Sequence, residues 1–409
     1  MRICLYTDTA LPKMGGQEFV VDALARQFTA LGHQPVVFAP KPRKLSIRGL
    51  TYPYEVVRHP RFYSTASFVS WYRWFLLRYY RQQPFDVLHC HGIYPPSYLA
   101  ALLGDRLPTP VIVTSHGGDV YENNVKLQKP ALVERCVQGL RSADALVAIS
   151  RFTRDGFARL CPEAAARIVD IPNGVNVAAF AERAARPSDL DAAIQPGKYA
   201  LFLGRLKHRK AVDVLLHALA RLPGHRSHHA PRDDSHHAER DAYGESVQFV
   251  IAGDGEERPA LETLCGQLGL TDNVRFVGAV AGPAKAYLLQ NARFGVIPSR
   301  QWEAFGLVVL EGYASGVPMI ATDMPGLADL IEHETTGLLV APESPERMAA
   351  ALQRLFTDDA MVERMRGRAR QVVERYDWRK VAQRHIALYE RLIAARSLPI
   401  GDASQKRVA

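Results

Sequence analysis

The stretch "FGVIPSRQWEAFGLVVLEGYASGVPMIAT", residues 294–322, carries the pattern that decides the fold. A short apolar run, FGVIPS, ends at Ser299, and a loop with Glu303 follows. Phe305 and Gly306 open a helix that closes at Gly316, and Pro318 leads into the next apolar run. A glycine at the helix end with a proline just beyond it is a stop signal. Continuous apolar strands separated by helices belong to parallel sheets covered on both faces. Two acids interrupt the stretch. Glu311 would lie along the helix among Leu307, Val308 and Leu310, and a carboxylate in such surroundings needs partners.

The same unit repeats on either side. RICLYT, PVVFAP, FDVLHCHG, PVIVTSHG, ADALVAIS and RIVDIPNG read as buried strands, with helices such as 17–31 and 128–142 between them. After a polar gap near 182–197 the pattern restarts with YALFLGRL, VQFVIAGDG, NVRFVGAV, ARFGVIPS, PMIATDMPG and GLLVAPE. Two such series predict an α/β protein of two doubly wound, Rossmann-like domains whose parallel sheets face a central cleft. The boundaries read as 1–190, 191–378, and 379–409, a C-terminal helix long enough to pack back on the first domain, with a tail. A length of 409 residues fits two cores better than one.

Composition excludes several classes. Apolar content of 47% and charged content of 23% fit a folded globular chain. No run approaches the roughly 20 apolar residues of a membrane span, and the N-terminus has no signal-peptide pattern. Five scattered cysteines without a C-x-x-C read as reduced thiols of a cytoplasmic protein. The insertion 224–246 holds five histidines without regular ligand spacing, so it reads as a flexible surface loop and not as a metal site. The net charge of +9 is uneven. Residues 1–195 carry 23 Lys/Arg and 16 Asp/Glu (+7); the rest carries 28 and 26 (+2). Residues 41–81 hold nine basic residues against Glu55 alone, which favours an anionic partner for the first half. The segment 62–83 mixes Trp, Tyr, Phe and Leu with Arg73, Arg78 and Arg81, a composition suited to an anionic membrane interface or to an ordinary core helix with surface arginines. No recognisable nucleic-acid module is present.

Ligands of doubly wound sheets sit at the carboxyl ends of the strands. After the first strand, Gly15 and Gly16 precede a helix and would admit close backbone approach. The pattern is not G-x-G-x-x-G, so a dinucleotide fingerprint is absent. After YALFLG, Arg205 and Lys210 could clamp a diphosphate with one forked donor and one point charge. Gly253, Asp254 and Gly255 form a tight turn, bordering a nucleotide or serving as a plain turn. His116 lies just past a strand end. The amides of Phe305, Gly306 and Leu307 stand where a helix start would offer N–H groups to phosphate or sugar oxygens.

In order and spacing, the elements GGQE, SHGGD, IPNGVN, GRLKHRK, AGDGEE and EAFGLVVLE, the last followed by ASGVPMIATDMPG, resemble retaining glycosyltransferases of family 4, with the GT-B fold. The likeness covers nearly the whole chain. It departs at Ala211, where a glycine often follows the lysine, at Asn176, where Asp is usual, and in the insertion 224–246. The resemblance implies a nucleotide-diphosphate sugar donor, UDP- or GDP-linked, transfer with retention, and no essential metal or other cofactor. Arg205 and Lys210 would hold the diphosphate, and Gly15 and Gly16 would line the diphosphate and acceptor side. Glu311 would bind the ribose, Glu303 with Phe305 and Gly306 the donor sugar, and His116 would contact that sugar. The acceptor would be a glycan or a lipid-linked molecule. Rival readings are a sugar-nucleotide 2-epimerase of the same fold and a non-catalytic nucleotide-sugar-binding protein.

Overall fold

A computed structural model describes residues 1–13, 15–42, 51–60, 68–223 and 248–397. The insertion 224–246 and much of the basic segment 41–67 therefore lie outside the described residues. The chain forms two compact units, residues 1–173 with 378–409, and residues 174–377.

The first unit holds seven strands: β1 (Arg2–Thr7), β2 (Gln34–Pro40), β3 (Glu55–His59), β4 (Val87–His91), β5 (Val111–Thr114), β6 (Ala145–Ala148) and β7 (Ile168–Asp170). Their order is β3-β2-β1-β4-β5-β6-β7, and the pairings are parallel. The sequence reading lacked β3. That strand sits at the sheet edge and is mostly half-buried, and in EVVRH only Val56 and Val57 form an apolar run, between Glu55 and Arg58. The strand order reverses between β1 and β4, so the carboxyl ends of these two strands form the switch point where ligands bind in such sheets. Register places Thr7 beside His91 and His91 beside Thr114 at that end.

The second unit holds β8 (Tyr199–Leu203), β9 (Gln248–Ala252), β10 (Val274–Gly278), β11 (Phe294–Ile297), β12 (Met319–Thr322) and β13 (Gly337–Val340), in the parallel order β10-β9-β8-β11-β12-β13. Its switch point lies between β8 and β11. Phe202, Leu215, Phe249, Phe294, Leu352 and Met365 belong to its main core cluster. Both sheets fit the two-domain α/β architecture expected from the strand pattern.

The units divide at Asn173/Gly174 and again at Asp377/Trp378, ahead of the 190/191 boundary drawn from the polar gap. Packing explains the earlier division. Phe180 and Leu190 rest on a cluster that includes Tyr199, Leu201 and Leu288, and Val175 bridges to Asp377. The last helix, Trp378–Ser397, belongs to the first unit, where it packs on the helix Gly16–Ala30. Tyr389 is fully buried there, its ring 5.8 Å from that of Phe28, and Arg396 makes a forked pair with Asp144 at 2.8 and 2.9 Å. All five cysteines are buried and free.

Candidate active site

In the second unit the site grows from the ends of β8, β9 and β11. After β8, Arg205 stands exposed in the loop. Residues His208–Lys210 form a single 3-10 turn, and Ala211 (φ 51°, ψ 42°) starts the helix Val212–Leu219. Ala211 thus occupies the left-handed conformation that usually selects glycine. The glycines after β9 serve close packing. A Cβ on Gly253 would lie 1.8 Å from the Gly204 carbonyl oxygen, and one on Gly255 would lie 2.2 Å from that of Leu206. The Leu206 amide donates to the Asp254 carbonyl at 2.9 Å, so this turn holds the Arg205 loop in place while the Asp254 side chain stays exposed.

Glu303 follows β11 and is 7% exposed. Its Oε1 accepts hydrogen bonds from Lys210 Nζ, from Arg209 Nη1 at 3.1 Å and from Ser299 Oγ at 2.8 Å. Burial alone would push this carboxyl up, but the charges of Lys210 and Arg209 and the hydrogen bonds from Lys210 and Ser299 hold it below its ordinary value. Arg300 fixes the two loops together, its amide donating to the Arg209 carbonyl and its guanidinium to the His208 carbonyl, both at 3.0 Å. Gly326 (φ 93°) approaches so closely that a Cβ would lie 2.1 Å from the Glu303 carbonyl oxygen.

Phe305 is buried, and Gly306 (φ 103°) caps the helix Leu307–Ala314. Glu311, on that helix, pairs through Oε1 with Lys285 Nζ at 2.5 Å. Its Oε2 is enclosed and has no hydrogen-bond partner among the described residues. Burial raises the Glu311 carboxyl, and the Lys285 charge only partly opposes this.

In the first unit the corresponding ends are those of β1, β4 and β5. Gly15 and Gly16 open the helix Gly16–Ala30, whose first side chains turn back to knit the loop before it. Gln17 Nε2 donates to Thr7 Oγ1 at 2.9 Å and to the His91 carbonyl at 3.0 Å, joining β1 to β4. Buried Glu18 accepts from Thr9 Oγ1 at 2.5 Å and pairs with Lys13 at 3.1 Å. His116, past β5, is half-buried, with Nε2 3.1 Å from His91 Nδ1. Burial holds its imidazole down to about 4, against the opposite pull of Glu18. Asp119 anchors the neighbouring turn, accepting from the Ser115 hydroxyl and from the Ile93 amide at 2.8 Å. Burial raises its carboxyl despite these donors.

Family models match both units: Glycosyltransferase Family 4 over residues 14–179 and Glycosyl transferases group 1 over 191–372. A D-inositol 3-phosphate glycosyltransferase of Jonesia denitrificans is 30% identical over 78% of this chain and 74% of its own length. The chain belongs to the group 1 glycosyl transferases of family 4. A phosphatidyl-myo-inositol mannosyltransferase of Mycolicibacterium smegmatis is 28% identical over 97% of this chain and 95% of its own. Among solved structures, that of Anabaena HepE in complex with UDP superposes with a TM-score of 0.77 at 18% identity, covering 96% of this chain and 100% of that one. The fold is GT-B and the chain is a glycosyltransferase.

For this glycosyltransferase the structure groups the residues differently from the sequence reading. Lys210 and Arg209 meet on Glu303. Glu311 already holds one partner, Lys285. Arg209, Ser299, Lys285, Gln17 and His91 had no assigned role in the sequence. Arg209 lies inside GRLKHRK and Gln17 inside GGQE, and His91 lies inside FDVLHCHG. Lys285 has no local signal, because its partner is 26 positions away.

Proposed function

We propose that this glycosyltransferase moves a hexosyl-type sugar from a nucleotide-diphosphate sugar to an acceptor hydroxyl, with retention and with protein cations in place of a metal. The observation that carries the reading is the pair of acids on the segment 303–311. Glu303 is buried and pairs with Lys210 and Arg209, and Glu311 is half-buried and pairs with Lys285. Glu311 keeps one enclosed oxygen without a partner, an unmet acceptor that a ribose hydroxyl would satisfy on entering the site. Lys210 has three ammonium donors and gives one to Glu303, so others remain for a diphosphate. With Arg205 in the adjacent loop, it would stabilise the leaving diphosphate as charge develops. Glu303 positions the sugar with the Phe305 and Gly306 amides. Three donors already crowd its Oε1, which weakens it as a nucleophile. That favours attack of the acceptor on the leaving-group face, with a diphosphate oxygen taking the proton, over a covalent glycosyl-enzyme. His116 would offer a sugar hydroxyl a hydrogen bond from the first unit.

On the acceptor side we infer a glycan or lipid-linked molecule used in cell-envelope or glycolipid synthesis, reached from an anionic membrane surface. The two inositol-directed relatives and the exposed aromatic helix of the first unit support this. The test is a panel of UDP-, GDP- and ADP-sugars with wild type and Glu303→Gln. One nucleotide class should raise the melting temperature and its sugar be hydrolysed or transferred. Glu303→Gln should keep nucleotide affinity within about threefold while turnover falls by a hundredfold or more, the scale of losing a group that acts at the reacting centre. Absence of any stabilising nucleotide sugar, or near-normal transfer by Glu303→Gln, would overturn the reading.

A further inference from the structure

Two histidines of β4, His89 and His91, point to one face of the strand, and both are fully buried. His89 uses both ring nitrogens: Nδ1 meets Tyr389 Oη at 2.6 Å and Nε2 meets Thr114 Oγ1 at 2.7 Å. Its ring lies 4.3 Å from that of His91 and braces it from behind. The His91 carbonyl is tied down by Gln17. His91 therefore presents Nδ1 in one direction, towards His116 Nε2 at 3.1 Å. The two rings are nearly coplanar, at 20°, with centroids 5.4 Å apart, the geometry of an edge-to-edge hydrogen bond. Among the described residues no group of three His, Cys, Asp or Glu is arranged to hold a metal, so the contact is a hydrogen bond between imidazoles.

We infer that His91 is a positioning residue that donates from Nδ1 to His116 Nε2, fixing His116 in the tautomer that offers an Nδ1–H donor to a ligand hydroxyl. The functional half of this rests on the reading that His116 contacts the donor sugar. Burial keeps both rings neutral, so a single proton lies between them. Two arrangements satisfy that contact. If His116 were the donor, the proton of His91 would sit on Nε2, which is enclosed and unpartnered among the described residues. A buried N–H without an acceptor is among the rarest and costliest states of a polar group. If His91 donates, the enclosed Nε2 is a bare lone pair, and the proton of His116 moves to Nδ1. Nδ1 makes no hydrogen bond to any described residue, so it is the nitrogen left for a ligand. A sugar hydroxyl would then meet a donor of fixed direction, not an imidazole free to present either face.

The tautomer can be read directly. In the full chain labelled with ¹⁵N-histidine, long-range proton–nitrogen correlations should show His116 with its proton on Nδ1; His116→Ala assigns the signal. His91→Phe keeps an aromatic ring but no nitrogen, and should release His116 to the Nε2–H form. Transfer measured as kcat/KM should fall about tenfold, the scale of one directed hydrogen bond. His91→Asn places an amide N–H near the position of Nδ1 and should restore most of that loss. A wild-type spectrum with the proton on Nε2 would overturn the inference, and this decides even if His91→Phe does not fold. An unchanged His116 tautomer in a folded His91→Phe protein would overturn it equally. Normal transfer by His116→Ala would instead remove the sugar-contact reading while leaving the tautomer result standing.

Discussion

Gly326 and Ala211 are two residues with positive φ near one carboxylate, and magnitudes separate them. At Gly326 (φ 93°) an added methyl would meet the Glu303 carbonyl oxygen at 2.1 Å and also be held in a conformation that L-residues avoid. Strain of roughly 1–2 kcal/mol and overpacking of roughly 1–3 kcal/mol act in the same direction. Gly326→Ala should therefore lower the melting temperature of the second unit by roughly 5–15 °C and displace Glu303. Ala211→Gly relieves about 1 kcal/mol of left-handed strain, but it deletes a methyl that is 1% exposed and loosens the unfolded chain, each costing about as much. That change should leave stability within about 1 kcal/mol of wild type. Thermal denaturation of both variants checks the contrast; a neutral Gly326→Ala would mean that the 325–326 turn does not hold Glu303. The same residues show what sequence could reveal of the site. Glu303, Glu311, Lys210 and His116 announced themselves by standing just after apolar strands or on the following helix. Their partners Arg209, Ser299, Lys285 and His91 are chosen by three-dimensional proximity, which strand and helix periodicity does not encode.

The helix Phe68–Gln82 has two apolar faces, which one core cannot explain. Tyr72 and Leu76 are buried in the first unit's core. Trp71, Trp74 and Arg78 follow the i, i+3, i+7 spacing of another face. Trp71 is 46% exposed and Trp74 48%, and the Arg78 guanidinium lies 5.5 Å from the Trp74 ring centroid. Among the described residues no helix is long and apolar enough to cross a membrane, so this face would lie on a surface and not span it. Each indole entering an interface contributes on the order of 1–2 kcal/mol. Trp71→Ala with Trp74→Ala should thus weaken partitioning onto phosphatidylglycerol-containing vesicles at least about thirtyfold without changing the melting temperature. Raising salt should weaken wild-type binding further through the arginines. Sedimentation with vesicles at low salt decides: equal binding by the double variant, or none by wild type, discards the surface role. At this scale the sequence was most informative. Among the described residues, twelve of the 13 strands of the two sheets announced themselves as apolar runs, most clearly the inner strands, which are buried on both faces. Only β3 did not, because its apolar run is just Val56 and Val57 between Glu55 and Arg58.

Over the whole molecule the buried histidines with lowered values lie in the first unit. That unit holds five histidines with lowered values. Burial is the largest cause for His33, His89, His91, His116 and His385, with His116 at about 4 and His385 at about 3. The unfolded chain takes up protons near the ordinary value of about 6.5, whereas the native unit refuses them until much lower pH. The stability these neutral imidazoles support is intact above about 6.5 and is lost steadily as pH falls towards their native values. Each proton so excluded gives a slope of about 1.4 kcal/mol per pH unit. In the second unit, Glu311 is raised by burial, so acidification relieves a cost there. Glu303 is lowered, so its contribution is present above its ordinary value of 4.5 and lost only below it. Between pH 7.5 and 5 the first unit should therefore lose roughly 15–30 °C of melting temperature while the second stays nearly constant. Scanning calorimetry should resolve the two transitions as they separate. Of the four tryptophans, Trp302 is the one in the second unit, so fluorescence of Trp302→Phe follows the first unit alone. Parallel shifts of both transitions, or a first-unit transition indifferent to pH over this range, would show that these histidines are not held neutral in the folded protein.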